Sequence, residues 1–206
     1  VYLLALNSRL LAFAEEGQQE TAETIRAGQK DDWKGFLQLS GVTVCRSAIM
    51  SGMNTFIPLF WLSVLMQSEE VSGLITSILA ISGAAATLIG GRVADSVGFK
   101  NVIRIGLMAL VPCMVIIAYT RSVVVSALML IPAAFALNLA YSPSVVLGQK
   151  LLPNHIGLSS GITMGMASSF GGVVSPFLGR IGDVHGVGLV LWIMVGICVL
   201  TAVASL

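Results

Sequence analysis

The sequence has little charge. Only 10% of its 206 residues are Asp, Glu, Lys or Arg, whereas 56% are hydrophobic. Soluble domains carry about 25% charged residues, because their outer surface must be polar. The small charged fraction therefore excludes an ordinary water-soluble domain and is typical of a chain that lies in the lipid bilayer. The formal net charge of +1 gives no reason to expect nucleic acid as a partner.

Clusters of catalytic or metal-binding side chains are also lacking. The cysteines Cys45, Cys113 and Cys198 each stand alone in an apolar run, without the spacing of metal ligands. There is no His-Glu-x-x-His motif, no Ser–His pairing and no pair of carboxylates within an apolar run. We therefore predict no enzyme activity, no metal site and no cofactor.

What the sequence does have is a polar segment followed by six apolar stretches. Residues 14–35 form the polar segment, which reads as a linker. Each apolar stretch can supply the ~20 residues with which a helix crosses about 30 Å of hydrocarbon, and strict two-residue alternation is absent. We predict an all-α membrane protein with six transmembrane helices in residues 36–206, and we expect residues 1–13 to be the end of an earlier span. The six predicted spans cover residues 36–66, 71–94, 102–119, 122–149, 157–182 and 188–206.

The distribution of basic residues predicts the orientation, since Lys and Arg concentrate in cytoplasmic loops. Six crossings place the linker and the turns after the second and fourth spans on one side of the membrane. That side collects eight bases and the other side two, so we predict that the linker 14–35 is cytoplasmic. The eight are Arg9, Arg26, Lys30, Lys34, Arg92, Lys100, Arg104 and Lys150, and the two are Arg121 and Arg180.

One charged turn occurs twice. The stretch GGRVADSVGFK covers residues 90–100, and GRIGDVHG covers residues 179–186. Both contain Gly-Arg-x-x-Asp-x-x-Gly, in which Asp95 and Asp183 end the second and fifth spans. Three spans separate the two aspartates, so they face opposite sides of the membrane. The sequence thus predicts two inverted three-helix repeats, an arrangement found in secondary transporters.

The first of these turns resembles the signature loop of the major facilitator superfamily, Gly-x-x-x-Asp-[Arg/Lys]-x-Gly-[Arg/Lys]-[Arg/Lys]. The matching residues are Gly91, Asp95, Gly98 and Lys100, next to Arg92. The resemblance implies that this chain is the C-terminal half of a twelve-helix transporter with a small-molecule substrate. It also implies a second half of six helices ahead of the linker in the same protein. Gly179, Arg180 and Asp183 would form the turn of the second repeat.

A second stretch is similar to the fosmidomycin-resistance branch of that family. The stretch KLLPNHIGLSSGITMG, residues 150–165, resembles the branch's pattern Glu-Leu-Leu-Pro-x-Arg-Ile-Gly-x-x-Ser-Gly-x-x-x-Gly, although His155 stands where the branch often has Arg. The matching residues are Leu151, Leu152, Pro153, Ile156, Gly157, Ser160, Gly161 and Gly165. This likeness implies proton-coupled efflux of a small drug or anionic metabolite from a bacterium, across the inner membrane, with the proton gradient as the energy source. The alternatives are an uptake symporter or uniporter for an organic acid or sugar, and a membrane enzyme or scaffold that transports nothing.

Charge at the turn after the second span suggests a gate. Asp95 can pair there with Arg92, Lys100 or Arg104, and such pairs could lock one arrangement of two helices. The alternative is a helix terminator whose exposed ion pairs contribute ~0–1 kcal/mol.

Arg46 is the one base well inside an apolar run. Either it faces a cavity and binds an anion such as a phosphonate or carboxylate, or it extends to the cytoplasmic edge. Asn54, Asn138 and Tyr141 are further candidates for lining a substrate cavity, although such groups also bond neighbouring helices.

Four features complete the prediction. Gly157, Gly161 and Gly165 form a small-residue stripe on the fifth span, which we expect to pack closely against another helix. His155 and His185 lie in loops, and we expect both to be solvated. No Asp or Glu lies inside any of the six spans, so an acid for proton coupling would belong to the other half of the protein. Bends are expected at three prolines, Pro58, Pro132 and Pro143.

Overall fold

In a computed structural model of the protein, residues 30–205 are described, apart from the side chains of residues 166–168. The predicted linker therefore lies mostly outside the described residues, as does the predicted end of an earlier span at residues 1–13. All regular structure in the described range is helical, as the sequence predicts. The helices are α1 (Trp33–Ser63), α2 (Glu69–Val97), α3 (Phe99–Tyr119), α4 (Val123–Leu139), α5 (Tyr141–Leu151), a 3₁₀ turn (Pro153–His155), α6 (Ile156–Ser160), a π-helical stretch (Gly161–Met166), α7 (Ala167–His185) and α8 (Val187–Ala204).

These elements form six consecutive helical segments. Segments 1, 2, 3 and 6 are α1, α2, α3 and α8, segment 4 is Val123–Leu151, and segment 5 is Pro153–His185. Five of the six, segments 2 to 6, are long and apolar enough to cross a membrane. Segment 1 is not among these five, because Arg46 and polar residues such as Asn54 interrupt its apolar sequence. Its 31 residues nevertheless exceed the length that a span needs.

Local side-chain bonds fix where the first two helices begin. The Asp32 carboxylate accepts the Gly35 backbone N–H at 3.0 Å and so caps α1. Ser68 caps α2 in the same way, through the Val71 N–H at 3.4 Å. Such caps satisfy donors that the first helical turn leaves without a partner.

Short turns join the segments, so successive segments run in opposite directions. At one end, here called the linker end, the Asp32 N–H donates to the Leu151 carbonyl, which joins the start of segment 1 to the end of segment 4. At the far end, Trp61 Nε1 donates to Ser126 Oγ at 3.1 Å and joins the end of segment 1 to the start of segment 4. Segment 2 ends at the linker end and segment 5 at the far end.

The packing has the symmetry that the repeated turn predicts. Segment 2 packs along segment 4, and segment 5 packs along segment 1. Segment 3 packs on segment 4 as segment 6 packs on segment 1, while segments 3 and 6 contact each other. Exchanging segments 1–3 with segments 4–6 leaves this set of neighbours unchanged. Equivalent segments are three positions apart along the chain, and each step reverses direction. The two units are therefore inverted relative to each other.

The two repeated turns share an unusual backbone conformation. Gly98 has φ 94° and Gly186 has φ 86°, and among the described residues these are the two glycines with positive φ. Each glycine donates its backbone N–H to the carbonyl oxygen four residues earlier. The distance is 2.9 Å from Gly98 to Ala94 and 2.8 Å from Gly186 to Gly182. Each also directly precedes the next helix. The last glycine of the repeated motif is therefore the residue that turns the chain, because it adopts this conformation without steric cost.

The main core lies where segments 1, 3, 4 and 6 meet. It is built from large apolar side chains such as Phe56 and Trp61 of α1, Met114 of α3, Leu130 of α4 and Met194 of α8, all of them almost completely buried. Large apolar residues on the outward faces of the segments, by contrast, are exposed, as a lipid-facing surface requires.

Segment 4 is broken between α4 and α5. Pro143 has no N–H to donate to the carbonyl of Leu139, and its ring would clash with that carbonyl in a continuous helix. The bend predicted at Pro143 is thus found as a break at Ala140, whereas Pro58 and Pro132 lie inside helices that continue through them. Gly90 of α2 packs against the freed carbonyl: a Cβ added at Gly90 would lie 2.5 Å from the Leu139 oxygen.

We predict that Gly90→Ala destabilises the bundle, because the added methyl group would push segment 2 away from the Leu139 carbonyl. Overpacking of this kind costs about 1–3 kcal/mol. The measurement is the melting temperature of the purified full-length protein in detergent. Gly73→Ala is the matched control on the same helix, where nothing lies within 4 Å. It should leave the melting temperature unchanged or raise it, since Ala favours a helix by about 1 kcal/mol over Gly. Equal melting temperatures for the two variants would contradict the prediction.

We also predict that Gly98→Ala and Gly186→Ala lower the melting temperature by similar amounts, because both turns need the same positive φ. A side chain forced into this region, which is almost exclusive to glycine, costs about 1–3 kcal/mol. Gly188→Ala, two residues after the second turn and with no neighbour within 4 Å, is the control and should cause little change. A large loss in one of the two turn variants and none in the other would show that the turns are not equivalent.

Candidate functional site

Arg46 lies near the middle of α1 and is 5% exposed. Its guanidinium carbon is 4.9 Å from the centroid of the Tyr141 ring, close enough for a cation–π interaction. The Arg46 side chain is buried and does not extend to an exposed edge, but it lines neither of the two cavities described below.

The positive charge of Arg46 has no carboxylate partner among residues 30–205. The ion pair found in this range joins His155 to Asp31 at the linker end. The Nε group of Arg46 is buried and has no hydrogen-bond acceptor within the described chain. A buried charge is costly unless it is paired and hydrogen-bonded, and a neighbouring aromatic ring offsets only part of that cost. The described chain thus leaves this positive charge without a counter-ion.

Tyr141 owes its position to the break in segment 4. It is the first residue of α5, directly after the Ala140 turn that Pro143 imposes. The ring is partly exposed, while the guanidinium that it covers is buried. The sequence predicts both residues as cavity candidates, and the structure brings them together.

The two predicted asparagines form a separate pair. Asn54 and Asn138 both line a cavity of about 10 Å³, which is no larger than one water molecule requires. Asn138 donates to the carbonyl of Ala134 at 2.8 Å and packs against Gly83, which has no side chain in the way. Asn138 therefore bonds its own helix at a close helix contact, while Asn54 is exposed. The described chain encloses no substrate-sized cavity around these four residues.

The pairing predicted for Asp95 is not formed within the described residues. Asp95, Arg92 and Lys100 are exposed, and no ion pair or hydrogen bond joins them. Arg104 instead donates its Nε to the carbonyl of Ser205 at 2.7 Å, because it lies on the face of α3 that meets α8. Arg104 is thus directed towards the end of segment 6, and the Asp95 carboxylate stays exposed. Its role in gating remains a prediction.

The second repeated turn has the same open character. Arg180 and Asp183 are exposed, and nothing lies within 4 Å of the Cβ position of Gly179. At the first turn, Gly91 is only loosely approached, by the hydroxyl of Ser142 at 3.4 Å. What the two motifs share in the structure is the turn glycine at their end, not an ion pair.

The small-residue stripe of segment 5 does not pack against another described helix. Nothing lies within 4 Å of the Cβ positions of Gly157, Gly161 or Gly165. The close approach made by this segment comes later, at Gly171, whose Cβ position is 2.9 Å from the backbone oxygen of Ser47. Two of the three stripe residues, Gly161 and Gly165, fall in the π-helical stretch, an irregularity often found at functional sites.

Sequence reasoning missed a contact that holds the start of segment 1 to the turn between segments 4 and 5. His155 Nδ1 is 3.1 Å from Asp31 Oδ2, and its ring lies 5.5 Å from that of Trp33. Half of the His155 side chain is exposed, so the expectation of solvation holds only in part. The two residues are 124 positions apart, and no local pattern in the sequence links them.

Comparison with known proteins places the chain in a family. The sequence profile of the Major Facilitator Superfamily matches residues 3–176. The chain is 36% identical over 107 residues to the fosmidomycin resistance protein of Escherichia coli (strain K12), a match that covers 52% of this chain and 26% of that protein. It is 29% identical over 109 residues to the uncharacterized MFS-type transporter YfnC of Bacillus subtilis (strain 168), covering 53% of this chain and 26% of that protein. The matched stretch thus spans about a quarter of the length of each relative.

These matches confirm the family that the turn motif predicts, and they confirm the likeness to a fosmidomycin resistance protein over about half of the chain. The helical fold and the five apolar segments agree with an integral, multi-pass membrane protein. The chain belongs to the Major Facilitator Superfamily of membrane transporters.

Proposed function

We propose that this chain forms the C-terminal half of a secondary transporter that exports a small anion by alternating access. The observation that carries the proposal is the buried Arg46, which has no carboxylate partner among the described residues. A guanidinium can donate two parallel hydrogen bonds to a carboxylate, phosphonate or phosphate group. A substrate of this class would supply the charge that the site lacks. The inverted arrangement of segments 1–3 and 4–6 supports the mechanism, because transporters of this design rock around a site between their repeats.

The proposed substrate class is a small drug or metabolite with one anionic group. A relative of this chain is named as a fosmidomycin resistance protein, and fosmidomycin is a phosphonic acid, a group that suits an arginine fork. The Tyr141 ring covers the guanidinium and would have to move aside to make room for the anion. Asn54, the exposed member of the asparagine pair, is available for the polar remainder of the substrate.

We further propose that export is driven by proton entry. The described acids lie at the ends of segments or before them, as Glu69 and Asp95 do, and not within the apolar interior. The acid that binds the transported proton would then belong to a six-helix N-terminal half of the same protein, joined through the linker 14–35. The excess of bases at the linker end supports a cytoplasmic linker and a location in the bacterial inner membrane. The proton gradient is the energy source, and no cofactor takes part.

The first prediction from this proposal concerns the thermal stability of the protein without substrate. We expect Arg46→Met to raise the melting temperature of the purified full-length protein. The variant removes a buried charge and fills most of its place with an unbranched apolar side chain. Arg46→Lys, which keeps the charge but loses the planar fork, is the comparison and should not be stabilised. A lower melting temperature for Arg46→Met would show that contacts within the protein already offset the cost of the buried charge, and it would remove the basis for an anion site.

The second prediction concerns transport. The assay uses inverted vesicles that contain the full-length protein and have an acidic interior. This pH gradient should drive uptake of fosmidomycin into the vesicles, which corresponds to export from the cell. Arg46→Gln should reduce the rate at least tenfold, since a hydrogen bond to a charged group contributes about 1.5–3 kcal/mol. Arg121→Gln, which removes an exposed base in the turn between segments 3 and 4, is the control and should transport normally.

Three results would revise the proposal. Flux in the opposite direction would indicate an uptake symporter, and flux that ignores the pH gradient would exclude proton coupling. Equal transport by Arg46→Gln and the unchanged protein would exclude Arg46 as the anion ligand.

A further inference from the structure

A second cavity lies at the linker end, away from Arg46 and Tyr141. Its volume is about 200 Å³, and it lies within the ring formed by segments 1, 3, 4 and 6. The beginnings of segments 1 and 3 and the ends of segments 4 and 6 form its wall. The lining residues are Gly35, Gln38, Leu39, Val42, Lys100, Ile103, Arg104, Leu147, Leu151, Ala204 and Ser205. None of the four candidate substrate residues is among them.

The charged residues that line this cavity are all basic. Lys100 and Arg104 line it, and no acid is among the lining residues. Lys150 adds a third base beside it: its Nζ lies 4.1 Å from the centroid of the Phe99 ring, next to Lys100. The nearby carboxylate of Asp32 is engaged by the Gly35 N–H as the cap of α1. The described chain therefore offers these bases no carboxylate within the cavity.

The described backbone carbonyls at the end of segment 6 accept only one hydrogen bond from Lys100 and Arg104, so most of the donors of these two bases remain available. Gln38 Nε2 donates to the carbonyl of Ala204 at 3.2 Å, and Arg104 Nε donates to that of Ser205 at 2.7 Å. Arginine has five N–H donors, so four remain on the outer nitrogens of Arg104. Lys100 forms no hydrogen bond or ion pair with any residue in 30–205, and its ammonium group adds three more donors.

The remaining wall is aliphatic, made by Leu39, Val42, Ile103, Leu147 and Leu151. Such a wall gives no advantage to a free inorganic anion. A molecule with an anionic phosphate and an adjoining apolar part would use both surfaces at once. The cavity also lies at the ends of the apolar segments, which is the depth of lipid headgroups in a bilayer. Basic pockets between transmembrane helices at a membrane surface bind anionic headgroups.

We propose that this cavity binds an anionic phospholipid, with its phosphate on Lys100 and Arg104 and its glycerol region against the aliphatic wall. The site is separate from the proposed substrate site, so it would hold even if Arg46 bound no anion. A bound lipid would connect the start of segment 3 to the ends of segments 4 and 6, and it would thereby stabilise the linker end of the bundle.

The test is lipid binding to the purified full-length protein in a neutral detergent, without any transport measurement. The probes are phosphatidylglycerol, phosphatidylcholine and inorganic phosphate, and the readouts are the melting temperature and the number of retained lipids in native mass spectrometry. We expect phosphatidylglycerol to stabilise the protein at concentrations at which the other two probes do not. Lys100→Gln and Arg104→Gln should each weaken its apparent affinity about fivefold, and the double variant more.

Two further variants separate charge from shape. Leu147→Trp keeps both bases and fills the cavity, so it should also abolish the selective stabilisation. Arg92→Gln removes an exposed base at the same end that does not line the cavity, and it should bind phosphatidylglycerol as the unchanged protein does.

Several outcomes would overturn the proposal. Equal stabilisation by inorganic phosphate would indicate a free-anion site, and equal stabilisation by phosphatidylcholine would indicate an unspecific detergent effect. These two comparisons use the unchanged protein, so they decide the question even if the double variant does not fold. Undiminished phosphatidylglycerol binding by a well-folded double variant would exclude Lys100 and Arg104 as ligands.

Discussion

A bundle in lipid has no water to complete the hydrogen bonds that its backbone leaves unmade, and this constraint is most visible at the break in segment 4. Pro143 takes away the donor that the Leu139 carbonyl would have in a continuous helix. Gly90 of segment 2 closes over that carbonyl from outside, at a distance that leaves no room for a methyl group. The same break begins α5 at Tyr141, whose ring then covers the buried guanidinium of Arg46. One missing N–H thus determines a helix contact and the environment of a charged side chain.

The two inverted units pack through glycines in related positions. Segment 2 approaches segment 4 through Gly83 and Gly90, and segment 5 approaches segment 1 through Gly171. Gly83 and Gly171 are separated by the same 88 residues as Asp95 and Asp183, so equivalent positions carry out equivalent packing. The symmetry is not complete, because segment 4 is broken while segment 1 is a single helix through Pro58. The polar residues of interest lie along these two unequal segments.

Much of the fold could be predicted from the sequence, because it follows from local features. The small charged fraction predicts lipid, the lengths of the apolar stretches predict helices, and the repeated Gly-Arg-x-x-Asp-x-x-Gly predicts the inversion. The pattern also marks the two glycines with positive φ, Gly98 and Gly186. Contacts between distant parts of the chain could not be predicted in this way. The pair of Asp31 and His155 and the bond from Arg104 to Ser205 depend on which helix faces meet at one end of the bundle. No periodicity in one helix contains that information. The ion pairs predicted for Asp95 are not formed among the described residues, and they stay a prediction for the rest of the protein.

The placement of Tyr141 directly after the Ala140 turn has a mechanical consequence. Because α5 is joined to α4 through this single turn, a tilt of α5 pivots at the base of the Tyr141 side chain. The ring sits at that pivot, whereas Arg46 is carried by a different and unbroken helix. A tilt of α5 about the Ala140 turn would therefore change how far the Tyr141 ring covers the Arg46 guanidinium, so the surroundings of this cation depend on the angle of one short helix.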